Sequence, residues 1–221
     1  MTDSLAHSWN RLMKWRSECF KRFGAVQSFP IKTPHEEITA ILSSDSKVLD
    51  IGAGAHKPFE KAIRAVTDYY YCLDTDPDGV FDFRSFTEIP EDLSFDLAIA
   101  NQVLEHLTVP DTLEMVTSTF SRLSDSARFV VTVPNAAHPV RQRDISHITP
   151  WVANDLYSLL KYAGFEIETI YRYNKYPLTS DPLKRWVVET VCEEFRIDWC
   201  DSVMITGVKQ MECGAALRIQ P

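Results

Sequence analysis

Apolar residues between Ser8 and Phe23 (Trp9, Leu12, Met13, Cys19, Phe20, Phe23) recur at three- and four-residue steps. Arg11, Lys14, Arg16, Lys21 and Arg22 lie between them, which predicts an amphipathic helix with a basic outer face. Pro30 and Pro34 interrupt that period. Thr33 ahead of Pro34 and Glu36 predicts a capped second helix reaching about Leu42. Short apolar runs then read as strands: Lys47 to Ile51, Tyr69 to Leu73, Val80 to Phe83, Asp96 to Ala100 and Arg128 to Val133. Helical stretches from about Phe59 to Val66 and Pro110 to Leu123 separate them. Past Pro134, Thr149-Pro150 predicts the cap of a helix with Val152, Leu156, Leu159, Leu160 and Ala163 on one face, stopped by Gly164. Phe165 to Tyr173 reads as a strand, Asp181 to Phe195 as a helix and Ser202 to Lys209 as a final strand. Alternation of strand and helix predicts a parallel sheet with helices on both faces.

At 221 residues the chain suffices for one sizeable core. The expected organisation is an N-terminal helical segment over 1–44, a main domain over 45–210 and a tail over 211–221. Twenty-three basic against thirty-one acidic residues give a charge of −8, which disfavours a nucleic-acid groove. The N-terminus lacks an apolar h-region and no run of about 18 apolar residues occurs, so no membrane span is expected and the location reads as cytoplasmic. Five cysteines without a C-x-x-C pair argue against a disulfide framework and a cysteine zinc site, and no metal is called for.

The chemistry concentrates where Val48-Leu49-Asp50-Ile51 runs into Gly52-Ala53-Gly54. The next predicted strand delivers Asp74, twenty-four positions after Asp50. Glycines at such a turn let a ligand approach the backbone, and amides at the following helix start receive anionic oxygens. An acid on the neighbouring strand tip accepts both ribose hydroxyl protons, so the pattern says adenosine without saying which cofactor. A dinucleotide site prefers a third glycine three positions after the second, where this chain has Lys57, which weakens an NAD or FAD reading.

From Lys47 to Tyr173 the sequence resembles the class I S-adenosylmethionine-dependent methyltransferases. The blocks are VLDIGAG (48–54), YCLDTDP (71–77), SFDLAIANQVLEHL (94–107), RFVVTVPN (128–135) and SHITPWVANDLYSLLKYAGFE (146–166), in family order. The resemblance implies an α/β, Rossmann-like, doubly wound sheet of about seven strands with an antiparallel last strand, and the N-terminal helical segment that fronts it has a lid among its readings. It implies S-adenosyl-L-methionine as cofactor and S-adenosylhomocysteine as product. Residue by residue, Gly52, Ala53 and Gly54 would lie under the methionine part and Asp50 would orient their turn. Asp74 would hold the ribose hydroxyls with Thr75 alongside, Asp82 and Phe83 would meet the adenine edge, and Asn101 and Gln102 would lie below the sulfonium. His56 departs from the family, which often has a third glycine there. The Pro58-Phe59 pair is similar to a subgroup linked to sugars and cell-surface glycans.

Methyl transfer is an in-line displacement, accelerated by positioning, and a base assists when the acceptor is a hydroxyl. His56, His106, His138 and His147 fall in loops on the carboxyl side of the sheet, where ligands bind in such folds. His138, His147 and His106 are the candidate bases or acceptor contacts. Each also has a structural reading: loop packing for His138, a corner hydrogen bond for His147, scaffolding for His106 with Glu105. Arg141, Arg143 and Asp144 share the loop of His147 and read as solvated charge or as a clamp for an acidic acceptor. Tyr171, Tyr173, Tyr176 and Trp186 are core residues or acceptor-pocket walls. The Trp9 to Phe23 helix is core, lid or a homodimer contact. The favoured reading is methyl transfer to oxygen of a small-molecule or glycan acceptor. A non-catalytic cofactor-binding module or partner subunit, and an NAD-dependent oxidoreductase, are the alternatives.

Overall fold

The structure, a computed structural model, describes residues 9–139, 144–173, 180–195 and 197–210. Helix α1 (Trp9–Phe23) is followed by α2 (Pro34–Ile41), which opens on a capping box: the Thr33 hydroxyl accepts from the Glu36 amide while the Glu36 carboxylate accepts from the Thr33 amide. Strand β1 (Val48–Ile51) leads through the glycine turn to α3 (Glu60–Arg64), and β2 (Tyr70–Leu73) follows. Next come β3 (Phe95–Asn101), α4 (Val109–Arg122), β4 (Leu123–Pro134), α5 (Ala153–Tyr162), β5 (Phe165–Tyr173), α6 (Pro182–Phe195) and β6 (Ser202–Lys209).

The strands form one sheet in the order β2-β1-β3-β4-β6-β5. β1 pairs in parallel with β2 and β3, and β3 with β4, while β6 runs antiparallel between β4 and β5. The strand order reverses at β1, so the carboxyl ends of β1 and β3 flank the crevice in which ligands of doubly wound sheets lie. Alternation along the strands feeds both faces. Leu49, Ile51, Leu73, Ala98, Phe129 and Val131 pack with α4 and α5, whereas Val48, Tyr70, Cys72, Leu97, Ile99 and Val130 pack with Ile38 of α2 and Ile63 of α3. Buried Glu37 of α2 accepts from the hydroxyls of Thr206 (2.7 Å) and Thr169 (3.2 Å) and pairs with Lys32 (2.6 Å). The free edge of β5 is covered where Pro30 and Lys32 exchange backbone hydrogen bonds with Arg172.

Two expectations change. The sheet has six strands among the described residues, because Val80 to Phe83 contributes only a bridge between Phe83 and Leu73. The Asp82 side chain accepts from the Cys72 amide (2.8 Å), and the amides of Asp82 and Phe83 both turn to the Cys72 carbonyl. A side-chain oxygen has taken a ladder carbonyl's place, so the strand does not propagate. Second, Thr149 does not cap α5, whose N-cap is Val152; the Thr149 hydroxyl donates to the Leu107 carbonyl at 2.7 Å. Helix α1 lies along α5: Cys19 is fully buried in the main core and the Tyr157 hydroxyl donates to Glu18 (2.7 Å). Among the described residues no helix is long and apolar enough to cross a membrane.

Candidate functional site

The glycine turn and the acid of the next strand meet directly. The Gly52 amide donates to the Leu73 carbonyl (2.8 Å), and the Gly54 amide donates to Asp74 Oδ2 (2.7 Å). Both glycines have φ in the left-handed region, at +66° and +60°. They are glycines for different reasons. A Cβ on Gly52 would stand 2.5 Å from a Val103 methyl, so that position is reserved by packing; a Cβ on Gly54 would meet nothing within 4 Å, so its backbone faces open space. Asp74 Oδ1 accepts from the Asp76 amide (2.9 Å). Each oxygen of this half-buried carboxylate thus receives one protein hydrogen bond and keeps lone-pair capacity for the two hydroxyls of a ribose. These groups fit an adenosine-bearing cofactor, with exposed Thr75 beside them. Lys57 sets its side chain over Phe81 at the third-glycine position, which a dinucleotide turn leaves bare.

Asp50 sits behind this turn. It is 2% exposed, and its Oδ2 accepts from the Tyr70 hydroxyl (2.8 Å), bracing β1 against β2. Burial pushes its carboxyl up to about 7, the Tyr70 bond opposing and the Asp74 charge adding to the rise. Ala53 is buried in the layer that holds α3. Asp82 accepts from the amide and thiol of Cys72, and Phe83 stacks on Tyr71 at 6.2 Å. Arg84, which the sequence reading passed over, clamps the loop after β2 by donating to the carbonyls of Asp76 and Gly79.

At the end of β3, Asn101 and Gln102 are tied to one residue of β4. The Thr132 hydroxyl donates to Asn101 Oδ1 (2.7 Å) and accepts from Gln102 Nε2 (3.2 Å). Gln102 has φ +58°, a left-handed conformation that its amide's bond to the Thr132 carbonyl (3.0 Å) helps hold. Thr132 carried no sequence signal of its own, being one polar position in an apolar strand.

Beyond these residues lies a cavity of about 340 Å³, lined by Glu105, Pro134, Asp144, His147, Ile148 and Trp151 among others. Its walls come from the turn after β3 and the loop after β4, stitched together across more than forty positions. The Glu105 carbonyl accepts from the amides of Ile148 (2.7 Å) and Thr149 (3.1 Å), and the Trp151 indole donates to the Leu104 carbonyl (3.1 Å). The His106 and His147 rings meet edge to face at 5.1 Å, and His147 Nε2 lies 3.7 Å from Asp144. The Asp144 carboxyl is held below its ordinary range, chiefly by hydrogen bonds from Ser146 and further by the two histidines.

The structure therefore brings His106 and His147 together and sets His138 elsewhere. His138 is 8% exposed, rests on Trp199 at 5.3 Å with Nε2 3.8 Å from Asp201, and does not line the cavity. Exposed His56 stands on the glycine-turn loop, and Trp186 faces solvent on α6 with Leu183, Val187 and Phe195. Lys32 stands over the Tyr171 ring at 5.1 Å, and Tyr173 is partly buried at the end of β5. Arg141, Arg143 and Tyr176 lie outside the described residues.

Solved structures share this architecture at low identity. A SAM-dependent methyltransferase from Archaeoglobus fulgidus is 17% identical, covering 90% of this chain and 94% of its own, with a TM-score of 0.57. A Haloferax volcanii methyltransferase, solved in complex with the Trm112 methyltransferase activator, is 14% identical over 96% of this chain and all of its own, with a TM-score of 0.58. The [4+2]-cyclase SpnF is 17% identical over 79% of each chain, with a TM-score of 0.56. No curated protein matches the sequence significantly. Residues 7–170, well over half of the chain, match the family described as "Methyltransferase domain". With the glycine turn bonded to Asp74 at the switch point of the sheet, that match establishes that the chain belongs to the class I methyltransferases, whose cofactor is S-adenosylmethionine.

Proposed function

We propose that the protein methylates an oxygen of a small-molecule or saccharide acceptor bound in the cavity at the carboxyl ends of β3 and β4. The observation that carries this reading is the grouping of His147, Asp144 and buried Glu105 in one cavity wall, on the same sheet edge as the glycine turn. S-adenosylmethionine supplies a methyl carbon activated by its positive sulfur. The protein's share is to hold the acceptor oxygen in line at about 3–3.5 Å, which supplies much of the acceleration, and to withdraw its proton. His147, which lines the cavity with the His106 ring packed against it, meets that second need, and His138, turned to Trp199 and Asp201, does not. Trp151 and Ile148 offer an apolar wall to a ring, and Asp144 an acceptor for a second hydroxyl. We place the activity in the cytoplasm, in keeping with four buried free thiols at Cys19, Cys72, Cys192 and Cys200.

The same architecture carries a [4+2]-cyclase, so the fold does not dictate the reaction. The test is incubation with methyl-labelled S-adenosylmethionine and a panel of sugars, phenols, carboxylates and amines. Label transferred to a hydroxyl compound, with S-adenosylhomocysteine released in equal amount, supports the reading. Transfer only to amines, or none to any acceptor while the cofactor binds, would overturn it.

A further inference from the structure

We propose that Glu105, His106 and His147 form a binding site for one divalent first-row transition-metal ion. Each offers one ligand atom, and these atoms lie within 4.8 Å of one another.

One hydrogen bond distinguishes the two ring nitrogens of His106. His106 Nδ1 lies 3.2 Å from the Ser146 carbonyl, which can only accept, so Nδ1 carries a proton and Nε2 is the nitrogen that presents a lone pair in the neutral ring. That Nε2 faces Glu105 Oε1 at 4.0 Å. Two electron-pair donors at this separation are too far apart for a hydrogen bond. Two tetrahedral ligands of one ion, at bonds of about 2.0–2.2 Å, stand about 3.4 Å apart, so this pair closes by roughly half an ångström on loading. The widest donor pair, at up to 4.8 Å, closes by roughly 1.4 Å on loading, a movement that side-chain rotation supplies. The Ser146 carbonyl meanwhile orients the ring as outer partners of metal-bound histidines do.

The ligands come from two distant segments, but their backbones are joined: the Glu105 carbonyl receives the amides of Ile148 and Thr149, immediately after His147. The site is therefore held before any ion arrives, with Glu105 2% exposed. Glu105 and His147 line the cavity, and the Asp144 carboxylate stands beside His147, so open coordination positions face the space given above to the acceptor. Two imidazoles and one carboxylate suit Zn²⁺, Co²⁺, Ni²⁺ or Fe²⁺; Mg²⁺ and Ca²⁺ prefer all-oxygen sets. Ion binding does not depend on the proposed function. Its use there does, since an ion in this position lowers the pKa of a bound hydroxyl in place of a free histidine base.

The experiment uses tag-free, chelator-treated full-length protein titrated with Co²⁺, read by its visible absorption, with Zn²⁺ as competitor. The expected result is one ion per chain, displaced by Zn²⁺, with affinity lowered roughly 100-fold or more by His147→Gln or Glu105→Gln and unchanged by His35→Gln. Thermal shift with S-adenosylhomocysteine confirms that each variant is folded; if Glu105→Gln is not, partly exposed His147→Gln decides alone. No stoichiometric binding, or binding indifferent to His147→Gln, overturns the proposal. Methyl transfer that survives chelation but is lost in His147→Gln overturns the ion's catalytic use and leaves the histidine base standing. Co²⁺ binding without any hydroxyl methylation sinks the proposed function and leaves the site.

Discussion

At the β1–β2 end of the ligand-facing edge, the surface offered is bare glycine backbone and one carboxylate, whereas at the β3–β4 end it is side chains gathered from residues 105 to 151. The first end is made by two tight turns in adjacent strands and depends on what a backbone can do without a side chain. The second depends on loops meeting across the sheet. A site built from backbone is hard to alter without unfolding the turn, so it suits the part of the reaction that stays constant. One built from loop side chains can change its chemistry while the scaffold stands.

Substitutions on either side should break this division in order of severity. Gly52→Val puts methyl groups into Val103 at a left-handed φ, and the cost of several kcal/mol is a large share of a typical domain's stability. The expected outcome is loss of cooperative unfolding in calorimetry, and a folded variant with normal cofactor affinity would refute the packing argument. His147→Gln should lower turnover by roughly 10²–10⁴-fold and leave S-adenosylhomocysteine affinity within about twofold, because the two ends are separate. Calorimetric binding beside initial rates checks the split. Asp74→Ala should do the reverse, weakening cofactor binding by roughly 10–100-fold through lost charge-assisted hydrogen bonds, with a smaller effect on turnover at saturation.

The smallest expected effect belongs to Asp50. Its carboxyl is pushed up to about 7 in the fold from an ordinary value near 3.8. The folded chain therefore holds a proton that the unfolded chain releases, and stability is full below about pH 4 and declines as pH rises toward 7. Asp50→Asn removes that decline. Set against a weaker acceptor for Tyr70, it should raise stability by about 1 kcal/mol at pH 8 and not at pH 4, in paired urea titrations. Equal slopes in the two proteins would show that the buried carboxyl does not titrate in this range.

The strands at 48–51, 70–73, 165–173 and 202–209 follow the apolar runs because each buries at least one face, and Thr33 caps α2 because its partner Glu36 is three residues away. Val80 to Phe83 looked like the other runs and failed, since Asp82 found a backbone partner in β2 that no local pattern reveals. Thr149 looked like a cap and was taken by Leu107, forty-two positions earlier. The histidines show the same limit. Their positions after strands place all four on the carboxyl side of the sheet, but the turning of His138 toward Trp199, and of His147 toward His106, rests on contacts between separate loops.

By itself, the sequence determined the alternation of strands and helices, the small-residue turn after β1 and the acid at the tip of β2, because each follows from neighbours within a few positions and from the periods of strand and helix. Only the tertiary structure decided that Asp74 bonds to the Gly54 amide, that Thr132 ties Asn101 to Gln102, and that Glu105 and the His147 loop share one cavity wall. Those contacts join residues twenty to more than forty positions apart, and a hydrogen bond of that span exists only after the sheet has set the register of the strands carrying it.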